Sequence, residues 1–404
     1  MADTNTNYLT KVEMDWEEID RKVKLHRKKQ LRRLAIIAAC CVAGFAALYI
    51  GSQLKTYNKY KVINSVERTD TDAARFMLLD GKLLKYSNDG AFYTTAGNEL
   101  IWNQTFEMQK PIVATCEGYV AFADENEQEI YVLNTDGSQG IIDTNMQIQK
   151  IAVARQGTVA ALMKNKDVNY IALYNKDGEC LAEGALHMEN SGYPMDITLT
   201  SDGKKLGVSV LDVNSGSTNT TVYFYNFDTA GQNEIDNIVN KCAYKDTVMA
   251  QLICTNGNRI IGFADNGIYI YDGSQKPEEK KVIPVSTEIK SVFYDDSYFG
   301  IVTGDEKEKT RRITVYDMSG SEKMSENLDI SYDRIYFLEN HEICIQSSEQ
   351  CEIFTLHGVK KFQSSFEGKK LQYVMSRNGV RNYLFLVEGE TEQIRCRFFS
   401  STRK

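Results

Sequence analysis

The sequence predicts an all-β fold, an eight-bladed β-propeller, preceded by a cytoplasmic amphipathic helix and one transmembrane helix. Three observations predict it. A strand-ending turn recurs every 38–51 residues from position 91 onward, and each period contains four short strand-like runs. Upstream, Leu34 to Leu54, LAIIAACCVAGFAALYIGSQL, is 21 residues without a charged side chain. As a helix it reaches roughly 30 Å, the thickness of a bilayer's hydrocarbon core. The expected organisation is a basic tail at 1–33, a span at 34–54, a tether at 55–59 and a propeller at 60–404.

In the tail, Leu9, Val12, Trp16, Ile19 and Val23 fall at helical spacing, and acids precede a basic block, an order that suits the helix dipole. An amphipathic helix is expected from about Tyr8 to Gln30. Val12, Trp16, Ile19 and Val23 would form a cytoplasmic docking face; a basic segment lying on anionic headgroups is the alternative. From Arg21 to Arg33 there are eight basic residues and no acid, against three lysines, Lys55, Lys59 and Lys61, on the other flank. Positive charge stays inside, so the amino terminus is expected in the cytoplasm and the propeller outside the cell membrane. A cleaved signal peptide is the rival reading, but the apolar run starts late, behind a long charged tail. Within the span Ala39, Ala43, Ala47 and Gly51 recur every four residues, a row that would let two helices approach closely and dimerise.

The chain carries a net charge of −8 and its first 33 residues +3, which leaves −11 for the remainder. An acidic outer domain argues against a nucleic-acid partner. Of nine cysteines, Cys40 and Cys41 lie in the span, and the other seven are scattered through strand-like runs. An odd, dispersed set without a CxxC pair reads as buried free thiols, with neither a disulfide framework nor a structural zinc site.

The repeat is read from AFYTTAG (91–97), YVLNTDG (131–137), ALYNKDG (172–178), YFYNFDTAG (223–231), YIYDG (269–273), TVYDMSG (314–320) and IFTLHG (353–358). Taking Thr94, Asn134, Asn175, Asn226, Asp272, Asp317 and Thr355 as markers, the gaps average near 43.5 residues. In five copies a glycine follows three positions later. Such Asx/Gly turns join antiparallel strands, and four strands per period make a propeller blade. At about 43 residues per blade, the 345 residues from 60 to 404 hold eight; seven is the alternative. After Gly358, VKKFQSSF completes one blade, and LQYVMS, NYLFLVEG and QIRCRFF supply only three further strands. The missing fourth is expected from YKVINSVER (60–68), which would close the ring.

ITLTSDGKKLGVSV, beginning at Ile197, resembles the WD40-like and TolB-like repeat, where an S-x-DG-K turn joins two inner strands. With the KKQLRRLAIIAACCVAGF span and the DG-turn repeats, the whole chain resembles membrane-anchored β-propeller proteins of Gram-positive anaerobic bacteria that are grouped as a domain of unknown function. The resemblance implies an extracytoplasmic propeller held at the cell membrane, and it supplies no catalytic residues.

Chemistry is sparse. No GxSxG, HExxH or P-loop is present, so no catalytic residue is assigned, and no cofactor or metal is expected. Asp212-x-Asn214-x-Gly216-x-Thr218 alternates oxygen ligands but lacks the closing glutamate of a calcium loop. Asp295 and Asp296 are adjacent and would point to opposite sides of a strand. Long loops on one rim are where propellers bind, which singles out His187, Glu189, Tyr193, Asp212 and Asn214. The expected function is therefore a non-enzymatic binding or scaffold module for a protein or cell-envelope ligand. The alternatives are an extracytoplasmic hydrolase or lyase with channel acids, and a structural subunit of a membrane complex.

Overall fold

The computed structural model describes residues 16–53, 55–69, 74–166, 168–187, 192–213, 216–254, 259–305, 310–366 and 368–397. The chain divides into two units, one ending at Lys55 and the other beginning at Thr56.

The first unit contains one continuous helix, Trp16–Gln53, in place of a separate amphipathic helix followed by a span. The physical reason is local. No proline interrupts 16–53, and the first glycine is Gly44, so nothing in the basic block breaks the hydrogen-bond ladder before the apolar run begins. At 1.5 Å per residue its 38 residues extend about 57 Å. Leu34, Ile36, Ile37, Val42 and Phe45 are all more than half exposed. Among the described residues this is the one helix long and apolar enough to cross a membrane.

In the second unit the described strands form eight four-stranded antiparallel sheets. Seven blades run in chain order: 75–105, 111–143, 147–187, 193–244, 249–284, 289–327 and 334–365. The eighth is built from Leu371–Ser376, Asn382–Val387 and Glu390–Arg397, with Lys59–Glu67 as its outermost strand. That strand is the earliest of the propeller, and it pairs Lys59 with Arg397 and Glu67 with Glu390. The ring is therefore closed within one blade by both ends of the domain. Arg68 secures the junction: its backbone N–H donates to Gly389 (2.7 Å), and its guanidinium donates to the Val387 carbonyl (2.9 Å) and lies over the Phe76 ring.

The core is divided among the blade interfaces. Eight clusters of buried side chains each join two neighbouring blades, and one of them joins the last blade to the first through Tyr373, Met375, Leu384 and Leu386 against Phe76 and Leu83. Because every sheet is covered on both faces, its central strands open with unbroken buried runs, such as 159–163 in Val159–Asn165 and 267–271 in Gly267–Asp272. The largest cluster joins blades 7 and 8 and takes in Tyr57, 2% exposed, whose backbone bridges to Phe362.

The repeated turn has a common mechanism. Asn134, Asn175, Asn226, Asp317 and Thr355 end or follow the third strand, and each side-chain oxygen accepts a backbone N–H from the turn it opens. In three of these turns Gly178, Gly320 and Gly358 occupy the left-handed region at φ 89, 74 and 77°. Blade 1 departs from the sequence pattern. Its turn residue is Thr95, one position beyond the expected Thr94, and Asn98 at φ 67° takes the glycine's place and donates to the Thr95 carbonyl. Asparagine tolerates that conformation better than most side chains. In the S-x-DG-K motif, Thr200 donates to Asp202 at 2.6 Å, and Asp202 accepts the Lys204 N–H.

Candidate functional site

The first strands of blades 1 to 6 surround a cavity of about 480 Å³ at the middle of the ring. Aliphatic side chains such as Val113, Ile151 and Leu252 alternate around it with polar ones, among them Thr115, Glu117, Asp196, Gln251 and Asp296. Asp196, on the first strand of blade 4, is buried and joins three blades. It accepts the Leu252 N–H of blade 5 at 2.8 Å and lies 3.3 Å from the Lys150 ammonium of blade 3. Burial raises its carboxyl above the ordinary value, against the opposing pull of Lys150 and the Leu252 N–H. Tyr294, on blade 6, lines the same cavity with about half its surface open to it. Burial and the Asp196 charge raise its phenol.

The cavity's acids gather at the turns between first and second strands. Glu117 lies in the Cys116–Tyr119 hairpin of blade 2, and Asp295 and Asp296 follow the first strand of blade 6. Asp295 and Asp296 therefore occupy a turn and both line the cavity, which corrects the expectation that they point to opposite sides of a strand. The Asp295 carboxylate accepts the Ser297 and Tyr298 N–H groups, each at 2.7 Å, and His341 Nδ1 of blade 7 donates to it at 2.7 Å. The His341 ring packs edge-on against Tyr298. Asp295 is thus a latch between two blades. Asp296 is the less engaged partner: burial, then the charges of Asp295 and Glu117, raise its carboxyl, and His341 opposes them. Cys116 is pushed up to about 11 by burial, Glu117 and Asp296, so it stays a neutral thiol at physiological pH. Among the described residues no group of three or more His, Cys, Asp or Glu could hold a metal ion.

The expected rim lies on the opposite face of the ring, where second strands lead to third strands and one blade leads to the next. His187 ends the last strand of blade 3, Tyr193 begins the first strand of blade 4, and Asp212 ends its second. Tyr193 pairs with Leu211, and Asp212 with Asn219. Tyr193 is 48% exposed. The fold thus brings positions 187, 193 and 212 to one rim of adjoining blades. Glu189 and Asn214 lie outside the described residues, as does Val12 of the tail. Trp16, Ile19 and Val23 lie in the helix, with Val23 exposed.

Sequence reasoning missed the channel acids. Period-2 alternation shows which strands are buried, but not that eight first strands converge on one axis. The usable signal was the short first turn of each repeat, where Glu117-Gly118 and Asp295-Asp296 stand at equivalent places in blades 2 and 6.

Residues 53–396 match a family of unknown function, DUF5711. No curated protein matches the sequence. Among solved structures the chain is similar to BamB from Moraxella catarrhalis, at 11% identity and a TM-score of 0.47, over 83% of this chain and 100% of that one. It is similar to hydrazine synthase from Kuenenia stuttgartiensis at 10% identity and a TM-score of 0.46, over 71% and 93% of the two chains. The WD40 domain of Pan2 from Neurospora crassa aligns at 8% identity and a TM-score of 0.41, over 85% and 97%.

Proposed function

The chain belongs to the DUF5711 family, whose function is unknown, and we propose that it is a membrane-anchored, extracytoplasmic propeller that binds a protein or cell-envelope ligand without catalysis. The observation that carries this reading is the helix Trp16–Gln53. Its apolar half is uncovered, its amino-terminal half is basic, and a closed ring follows it in the chain. The basic flank supports a cytoplasmic amino terminus. Two acids of the channel, Asp295 and Asp196, are engaged across blade interfaces, which supports a binding role over a catalytic one. The rim of His187, Glu189, Tyr193, Asp212 and Asn214 is the proposed contact surface, and the Ala39, Ala43, Ala47 and Gly51 row is a proposed helix-pairing face.

The test is crosslinking and pull-down from intact membranes, with the full chain compared with one lacking residues 1–30. Protease added outside intact cells should cleave the propeller and spare an amino-terminal tag. A protected propeller would refute the orientation. A partner retained by the truncated chain, and lost when Tyr193 and Asp212 are replaced by alanine, supports the rim. A partner lost only on truncation would move the working end to the tail.

A second reading, a hydrolase or lyase with channel acids, is favoured by one observation: Asp296, with its raised carboxyl, lies in the cavity beside the ionisable Asp295. An activity that Asp296→Asn abolishes would support it; absence of turnover by the unaltered chain on cell-envelope glycan would count against it, and an activity that Asp296→Asn retains would take Asp296 out of the role.

A further inference from the structure

The outermost strands of blade 8 carry an arrangement of charge that packing does not explain. Lys59 stands directly opposite Arg397, and Lys61 directly opposite Arg395. Residues opposite one another project from the same face, so these four cations form one cluster, and all four are exposed. Like charges at such positions repel, and among the described residues no ion pair joins any of the four to a carboxylate. The Arg395 side chain donates to the neutral amide oxygen of Asn382 at 3.1 Å. At the other end of the same strand pair the sign reverses: Glu67 stands opposite Glu390, and Ser65 opposite Glu392. The strand pair is thus polarised over about 26 Å, within a portion of the chain whose net charge is −11. The cationic end begins six residues after Gln53, the last residue of the apolar helix.

We propose that this cationic corner, Lys59, Lys61, Arg395 and Arg397, docks on the anionic phospholipid headgroups of the membrane that the helix enters. The inference rests on the membrane-anchored reading above. Charge complementarity selects the occupant: a headgroup layer presents many phosphates in one plane, matching four exposed cations that share one face. Lys59 lies six positions beyond Gln53, a reach of at most about 20 Å of chain, and the repulsion within the ladder is relieved when phosphates lie against it. The exposed Ile63, the extra residue of the bulge between Val62 and Asn64, adds an apolar contact beside the cations.

The full chain is incorporated into phosphatidylcholine nanodiscs with and without phosphatidylglycerol, and acylation of individual lysines by an amine reagent is followed by mass spectrometry. Phosphatidylglycerol should slow labelling of Lys59 and Lys61 by at least about threefold. It should leave the exposed Lys280 of blade 5 unchanged, and high salt should abolish the difference. Arg395→Gln with Arg397→Gln should restore the labelling of Lys59. Equal rates in the two discs overturn the proposal, as does equal slowing at Lys280. Protection that appears in phosphatidylcholine discs only when soluble polyphosphate is added would assign the corner to a polymer and also overturn it. Discs recovered without protein would refute the anchor instead. Co-sedimentation of the chain with phosphatidylglycerol vesicles then decides the corner by itself.

Discussion

Replacing Lys361 with methionine should be among the most damaging single changes to the propeller. Lys361 is 2% exposed and donates to the Glu342 carboxylate, which is 6% exposed. The Tyr383 hydroxyl of blade 8 donates to the other carboxylate oxygen at 2.6 Å. Removing the ammonium leaves a buried carboxylate with one neutral donor, and such uncompensated charges cost about 3–5 kcal/mol. The Lys361 ammonium also lies 5.8 Å from the centre of the Tyr383 ring, an interaction that contributes roughly 0.5–2 kcal/mol. The expected loss is therefore about 4 kcal/mol, a large share of a typical domain's stability. Replacing both partners, Lys361→Met with Glu342→Gln, should recover most of it, because a buried pair exchanged for neutral groups is often nearly neutral. Urea unfolding of the two single variants and the double variant completes the cycle. A single-variant cost below about 1 kcal/mol, or a double variant no better than the single, would refute the argument that the pair is desolvated.

Other outcomes follow from the same geometry. Gly140→Ala would place a Cβ 1.9 Å from the Lys176 carbonyl of the next blade and should cost about 1–3 kcal/mol by urea unfolding, whereas Gly184→Ala, with nothing within 4 Å, should be near neutral. Burial alone would raise the Asp317 carboxyl, but Lys323, Ser319 and the turn N–H groups outweigh it and hold it well below the usual range. A depressed carboxyl adds stability above its unfolded value and loses it as pH falls, so the deficit of Asp317→Asn should close in acid. Asp296 has the opposite sign: its raised carboxyl costs stability as pH rises, so Asp296→Asn should gain stability at neutral pH, and that gain should vanish in acid. Under native conditions a thiol reagent should modify the exposed Cys180 and leave Cys344, Cys351 and Cys396 untouched until urea unfolds the ring.

Eight blades were legible because turn chemistry punctuates the chain so regularly. An Asx or Thr side chain that captures its own turn leaves the same mark in blades 2, 3, 4, 6 and 7, and Lys59–Glu67 was identifiable because the last repeat was one strand short. The slip at Thr94 arose where Asn98 does a glycine's work, a substitution that hides the left-handed position from a search for glycine. The basic and apolar stretches run on as one helix, because they differ in composition and not in backbone preference. The channel was not legible: Asp196 and Tyr294 share one cavity, yet 98 residues and two blade interfaces separate them in the chain. Linear patterning carries no information on that convergence. The rim was chosen from loop length alone, which marks tolerance to insertion as readily as binding.

Closure by the earliest strand has a consequence for how the protein is made. Lys59 emerges from the ribosome soon after the helix, yet its partner Arg397 is 338 positions downstream. At about 5–20 residues per second, the first strand waits roughly 17–70 s before blade 8 exists. Throughout that interval Tyr60, which ends against Phe362, Phe366 and Phe385, has no surface to cover it. A chain that stops before Glu390–Arg397 therefore retains an unsatisfied apolar edge on its first strand, and such an unfinished ring presents a ready substrate to proteases.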